Sequence, residues 1–120
     1  MTTSAEEKEF VSYLVELMQS IGPVRAQAMF GGHGIFIEQL MFGLVAGSVL
    51  YLKADKENES HFKARGLEVF SYMKKGKECK MSYYQAPEEA LEEAEEMSYW
   101  ANMAYSAALR AASKKTKKSL

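Results

Sequence analysis

Cysteine is all but absent from this chain, histidine is scarce and long hydrophobic runs are missing, and each shortage removes a class of function. Cys79, the only cysteine, cannot close an internal disulfide and has no second thiol for a redox pair; it fits a reducing compartment and reads as a small strand residue. The two histidines, His33 and His61, lie 28 positions apart with no cysteine or paired carboxylate at metal-ligand spacing, so no metal site is expected. No serine, cysteine or threonine beside His33 is supplied with an orienting acid, and His33 reads as a residue of a glycine turn. The glutamates belong to helix surfaces and opening turns, where solvation and dipole complementarity account for them. The sequence therefore reads as non-catalytic, with no cofactor. No apolar run approaches the ~20 residues needed to cross a bilayer. The acidic start Ser4-Ala5-Glu6-Glu7-Lys8-Glu9 has no signal-peptide pattern, so no membrane contact and a cytoplasmic location are expected.

What the chain does have is material for one core: 48% of its 120 residues are apolar. Net charge is −1, but unevenly spread. Of the 15 lysines and arginines, Lys114, Lys115, Lys117 and Lys118 follow Ala112, the end of the alanine stripe, leaving 11 against 16 acidic side chains in residues 1–113, a body of −5 and a tail of +4. A DNA-binding domain normally carries the reverse, a basic face on its folded body, so DNA contact is expected to be weak or indirect.

Hydrophobic spacing orders the elements. Ser4 with Glu7 three residues on has capping-box spacing, and Phe10, Leu14, Leu17, Met18 and Ile21 form a helical stripe that stops at Gly22-Pro23. The period then changes to two. Residues 24–30, 33–39, 40–46 and 49–54 read as consecutive strands whose short connections make neighbours antiparallel. A short helix through Phe62 and Ala64 ends at Gly66, and strands 69–74 and 80–85 flank Lys75-Gly76-Lys77. Pro87 opens a closing helix with glutamates in its first turns and an alanine stripe behind them. The expected fold class is α+β: an antiparallel, meander-like sheet of about five or six strands with N-terminal and long C-terminal helices packed on it.

Three glycines in four residues mark Met29-Phe30-Gly31-Gly32-His33-Gly34, and a strand follows rather than the helix a phosphate-binding loop requires. The glycines read as a tight turn or bulge where a side chain would clash, with a backbone-approach binding loop as the alternative. Tyr51, Phe70, Tyr72, Tyr83 and Tyr84 lie on strands beside Lys53, Lys74 and Lys80; such residues fill cores more often than they stack bases. Arg25 either pairs with an acid of the final helix or belongs to a binding surface.

Taken in order, Arg25-Ala-Gln-Ala-Met-Phe-Gly-Gly-His-Gly-Ile-Phe, Met41-Phe-Gly-Leu-Val, Leu50-Tyr-Leu-Lys-Ala-Asp, Phe70-Ser-Tyr, Met81-Ser-Tyr-Tyr and Ala86-Pro-Glu-Glu, with Trp100-Ala101 after them, closely resemble the TfoX/Sxy N-terminal domain family over roughly residues 8–112. The resemblance implies an α+β domain and a link to bacterial regulators of natural competence, and it implies no enzyme. It brings no agreed catalytic residues, so Arg25, Met29, Phe30, Gly31, Gly32 and Gly34 stand as a signature turn and candidate binding site. Residues 1–113 are expected to form one TfoX N-terminal-like domain and 114–120 a basic, disordered tail. The expected function is a regulatory module that binds another protein, such as a transcription factor. The alternative is a small-ligand or nucleic-acid binding domain using the glycine turn and adjacent strands; a concave pocket there would favour it, and a flat apolar patch the first. From Pro87 to about Ser113 the closing helix looks too long for one small sheet to cover. Met97, Trp100, Ala104, Tyr105 and Ala108 are therefore expected near a homodimer contact, unless the helix bends sharply near Asn102.

Overall fold

Strand β1 (Val24–Met29) opens a six-stranded antiparallel sheet in the computed structural model, which describes residues 5–29 and 31–119, the last five by backbone alone. Ser4 of the expected capping box and Phe30 of the signature turn lie outside the described residues. β2 (Gly32–Ile37), β3 (Leu40–Ala46) and β4 (Val49–Lys53) follow as a meander, each joined to the last by two residues. Gly47 and Ser48, with φ of 57° and 61°, make the doubly left-handed turn whose twist suits a tight hairpin. The meander then breaks. The sheet order is β1-β2-β3-β4-β6-β5, so β6 (Lys77–Gln85) pairs with β4 and β5 (Val69–Lys74) takes the edge.

Helices cover one face of this sheet. α1 (Ala5–Leu17) ends before Gly22, and a single 3-10 turn, Gln19–Ile21, fills the gap. Its buried line is Glu7, Val11, Leu14 and Met18, which steps by four and three; Phe10 packs only at the margin. α2 (Glu59–Ala64) sends Phe62 into the core, where its ring stacks on Tyr84 at 5.4 Å and meets Trp100 at 5.3 Å. Ile35 and Ile37 of β2, Val45 of β3, and Leu50 and Leu52 of β4 supply the sheet's side of this core. Between Ile35 and Phe36 the β2–β3 register shifts, leaving Phe42 unpaired in the ladder. Its ring is fully buried and sits edge-on to Tyr105 at 5.9 Å.

The closing helix corrects two expectations. It is broken not near Asn102 but at Glu93, whose extended backbone (φ −132°, ψ 131°) separates α3 (Glu88–Glu92) from α4 (Ala94–Ser119). The Glu93 carbonyl then accepts the N–H of Met97 at 2.9 Å and starts the new helix. α4 continues unbroken past Asn102 and carries its backbone through the lysine-rich segment that the sequence set apart as a tail. Nor is its apolar stripe left over for a partner. Met97, Trp100, Ala104 and Ala108 are all buried in the chain's own core, and Tyr105 is half-buried beside Phe42, because the small alanines let α4 lie close across β3 and β4.

Arg110 ties the far half of α4 down. Its Nε and Nη2 donate to the two oxygens of Asp55 at 2.6 and 2.9 Å, and the guanidinium holds that carboxyl below the usual carboxylate range. A depressed folded-state value means stability that is present above the unfolded value and lost as pH falls through the folded one. Asp55→Asn is therefore expected to lower the melting temperature at pH 7, with the gap from the parent protein closing below about pH 4. Paired melts across that range check it; a gap independent of pH would remove the ion pair as the cause.

Candidate functional site

The glycine run is placed by what its residues lack on one face and hold on the other. Gly31 has a φ of 76°, in the left-handed region that suits glycine, and turns β1 into β2. Gly32 lies so close to β3 that an added Cβ would stand 2.2 Å from the Val45 carbonyl oxygen, so the position requires a bare backbone. At Gly34 a Cβ would come within 2.7–2.9 Å of Met29 Sδ, Phe36 Cε1 and Met41 Sδ, whose side chains close over the glycine instead. Turn and close approach thus both hold, as the structural reading of the run required.

His33 corrects that reading in one respect. It belongs to β2, not to a turn, and it is buried on the helix-covered face. Its Nδ1 lies 3.1 Å from Glu7 Oε2, while Glu7 Oε1 accepts the N–H of Ser48 at 3.3 Å. One carboxylate from α1 thereby holds both β2 and the β3–β4 turn from behind. The signal was present: stepping back by two from Ile37 and Ile35 puts His33 on the inner face, and stepping back from Leu14 and Val11 by helical spacing puts Glu7 there too.

On the uncovered face the missing glycine side chains leave a hollow of about 420 Å³ beside the turn. Gly32 lies at its floor; Met29, Met41, Leu44, Phe70, Tyr72 and Met81 line it. Aromatic contacts stiffen the far wall, with Tyr51 edge-on to Phe70 at 5.0 Å and Phe70 6.1 Å from Tyr72. The strand aromatics therefore divide: Tyr84 packs half-buried against the core, while Tyr72 stays 41% exposed at the sheet edge. Tyr83 is buried on the way between them, donating its O–H to the Met41 carbonyl at 3.4 Å, and burial pushes its phenol up to about 12. Arg25 pairs with no acid of the final helix. Its guanidinium stacks 4.6 Å above the Phe36 ring and donates to the Glu38 carbonyl at 2.9 Å, bracing β1 against the next turn.

Of the signature residues, Met29 and Gly32 line the hollow, Gly34 is roofed by Met29 and Met41 beside it, and Arg25 stands to one side on Phe36. Methionine and aromatic walls without a charged group suit apolar contact rather than bond-making chemistry. Among the described residues no three histidine, cysteine or acidic side chains gather as metal ligands, and no helix is long and apolar enough to cross a membrane.

A family model, the TfoX N-terminal domain, matches residues 16–108, a span that takes in every strand and the glycine turn. The chain belongs to the TfoX N-terminal domain family. It is also similar to the DNA transformation protein TfoX1 of Aliivibrio fischeri, 32% identical over 82 residues that make up 68% of this chain. Those residues span about 37% of that relative's length.

Proposed function

We propose that this TfoX-type domain is a non-catalytic regulatory module in the control of competence, acting through contact with another protein, such as a transcription factor, in the cytoplasm. The observation that carries the reading is the open apolar face beside the signature turn. A partner's aromatic or aliphatic side chain suits the methionine-lined hollow, and exposed Tyr72 at its rim supplies the kind of anchor that dominates binding energy at interfaces. The acidic body, −5 over residues 1–113, supports recruitment through protein rather than direct grip on DNA.

The concavity of the hollow, as distinct from its apolar lining, favours the second reading, in which a small apolar molecule occupies it. One set of samples separates the two. The tagged protein is used to capture partners from native cell extract, with and without nuclease, beside a Tyr72→Asp variant whose melting temperature matches the parent. Retention of one protein that survives nuclease and falls at least ~30-fold in the variant is expected, as for loss of an interface anchor of about 2 kcal/mol. Native mass spectrometry that finds a bound small molecule and no protein would replace the first reading by the second; retention abolished by nuclease would remove both.

A further inference from the structure

A second hollow, of about 470 Å³, opens where β4 leaves the sheet towards α2, lined by the far half of α4 on one side and by the β5–β6 hairpin on the other. Its character is opposite to the first. Lys53, Lys56, Lys80, Arg110 and Lys114 converge on it from three separate elements and one loop, against only Asp55 and Glu59. Four of the 11 basic residues of an otherwise acidic body thus meet in one place, and Lys114 joins them.

Two of the five are partly engaged within the protein: Lys53 Nζ lies 5.2 Å from the centre of the Tyr83 ring, and Arg110 faces Asp55. None of the four lysines forms an ion pair among the described residues. Arg110 is engaged through Nε and Nη2 with Asp55, and its Nε lies 3.2 Å from Glu57. Asp55 is itself fixed by the N–H groups of Glu57 and Asn58 at 3.0 and 3.2 Å, so the guanidinium is held in one orientation with Nη1 left over. Like charges crowded into a concavity repel one another, and a bound anion relieves that repulsion. Ala54, Ala107 and Ala111 add apolar wall between the charges, which gives a neutral body somewhere to rest.

We propose that this hollow binds a small organic phosphate, its phosphoryl group among the lysines and Arg110 and its carbon skeleton against the alanines. The excess of three positive charges in the lining matches a phosphoryl dianion better than a single carboxylate. The volume lies within the ~300–1,000 Å³ of small-molecule sites. A nucleic-acid strand would need a cationic track leading away from the hollow, whereas Glu57 and Glu59 stand at its margin. The inference is separate from the partner-binding reading, since the two hollows share only Met81 in their linings.

The test is calorimetric titration of the full chain with phenyl phosphate, inorganic phosphate and phenol, and with a short single-stranded DNA. Phenyl phosphate is expected to bind at one saturable site, more tightly than inorganic phosphate and with phenol silent. The double variant Lys56→Glu/Lys80→Glu, exposed positions with no ion pair to lose, is expected to weaken it at least tenfold, while Tyr72→Asp at the other hollow leaves it unchanged. Circular dichroism melts confirm that the variants fold. Absence of saturation, equal binding by the double variant, or binding of the DNA that phenyl phosphate fails to displace would overturn the proposal.

Discussion

Valine in place of Gly32 is expected to cost roughly 3 kcal/mol or more and to lower the melting temperature by more than ~10 °C. The first added carbon alone would stand 2.2 Å from the carbonyl oxygen of Val45 and 3.3 Å from its carbon. Both are backbone atoms of the neighbouring strand, so no rotamer change relieves the clash; β2 and β3 must separate beside the turn. Gly47→Ala is the control. That residue also has a positive φ, 57°, but nothing lies within 4 Å of an added Cβ, so only the conformational cost of about 1 kcal/mol applies. Thermal melts of the two variants side by side check the ranking, and equal shifts would show that crowding at β3 is not what the signature glycine avoids.

Asn58→Leu carries the next largest effect, about 2–4 kcal/mol in urea unfolding. Asn58 is 4% exposed, and its amide joins three pieces of chain. Its Oδ1 accepts the N–H of Asp55 at 2.7 Å, and its Nδ2 donates to the carbonyls of Lys53 and Met103 at 3.2 and 3.1 Å. Leucine keeps the volume and strands all three groups. Asn58→Asp is expected to be at least as damaging, because it turns both donor contacts into oxygen facing oxygen. A leucine variant as stable as the parent would mean that water replaces the amide at this junction.

The division between what the sequence discloses and what it conceals follows the reach of each interaction. β3 is read at Leu40–Ala46 and β5 at Val69–Lys74 because period-two patterning and turn residues are local signals. The glycine turn is legible for the same reason. Glu7 with His33, and Asn58 with Met103, are joined across 26 and 45 positions, and no spacing rule points from one to the other. The break at Glu93 carries neither glycine nor proline to announce it, and the exchange of β5 with β6 brings together residues far apart in sequence, Leu52 with Tyr84 and Phe62 with Tyr84. The alanine stripe is opaque on the same ground: its coverage by β3 and β4 is a tertiary fact.

That exchange of strands also sets an order in time. β1 to β4 are linked by two-residue turns, so their ladders close short loops and are expected to form first, whereas the β4–β6 ladder pairs Leu52 with Tyr84 across a loop that spans α2 and β5. Three ladder pairs make that seam, flanked by the Ala54 N–H on the Ser82 carbonyl and the Ala86 N–H on the Leu50 carbonyl, and Phe70, Tyr72 and Met81 of one hollow and Val69, Lys80 and Ser82 of the other arrive with it. Both hollows therefore share this seam as part of their walls, and a brief parting of it would open the two together.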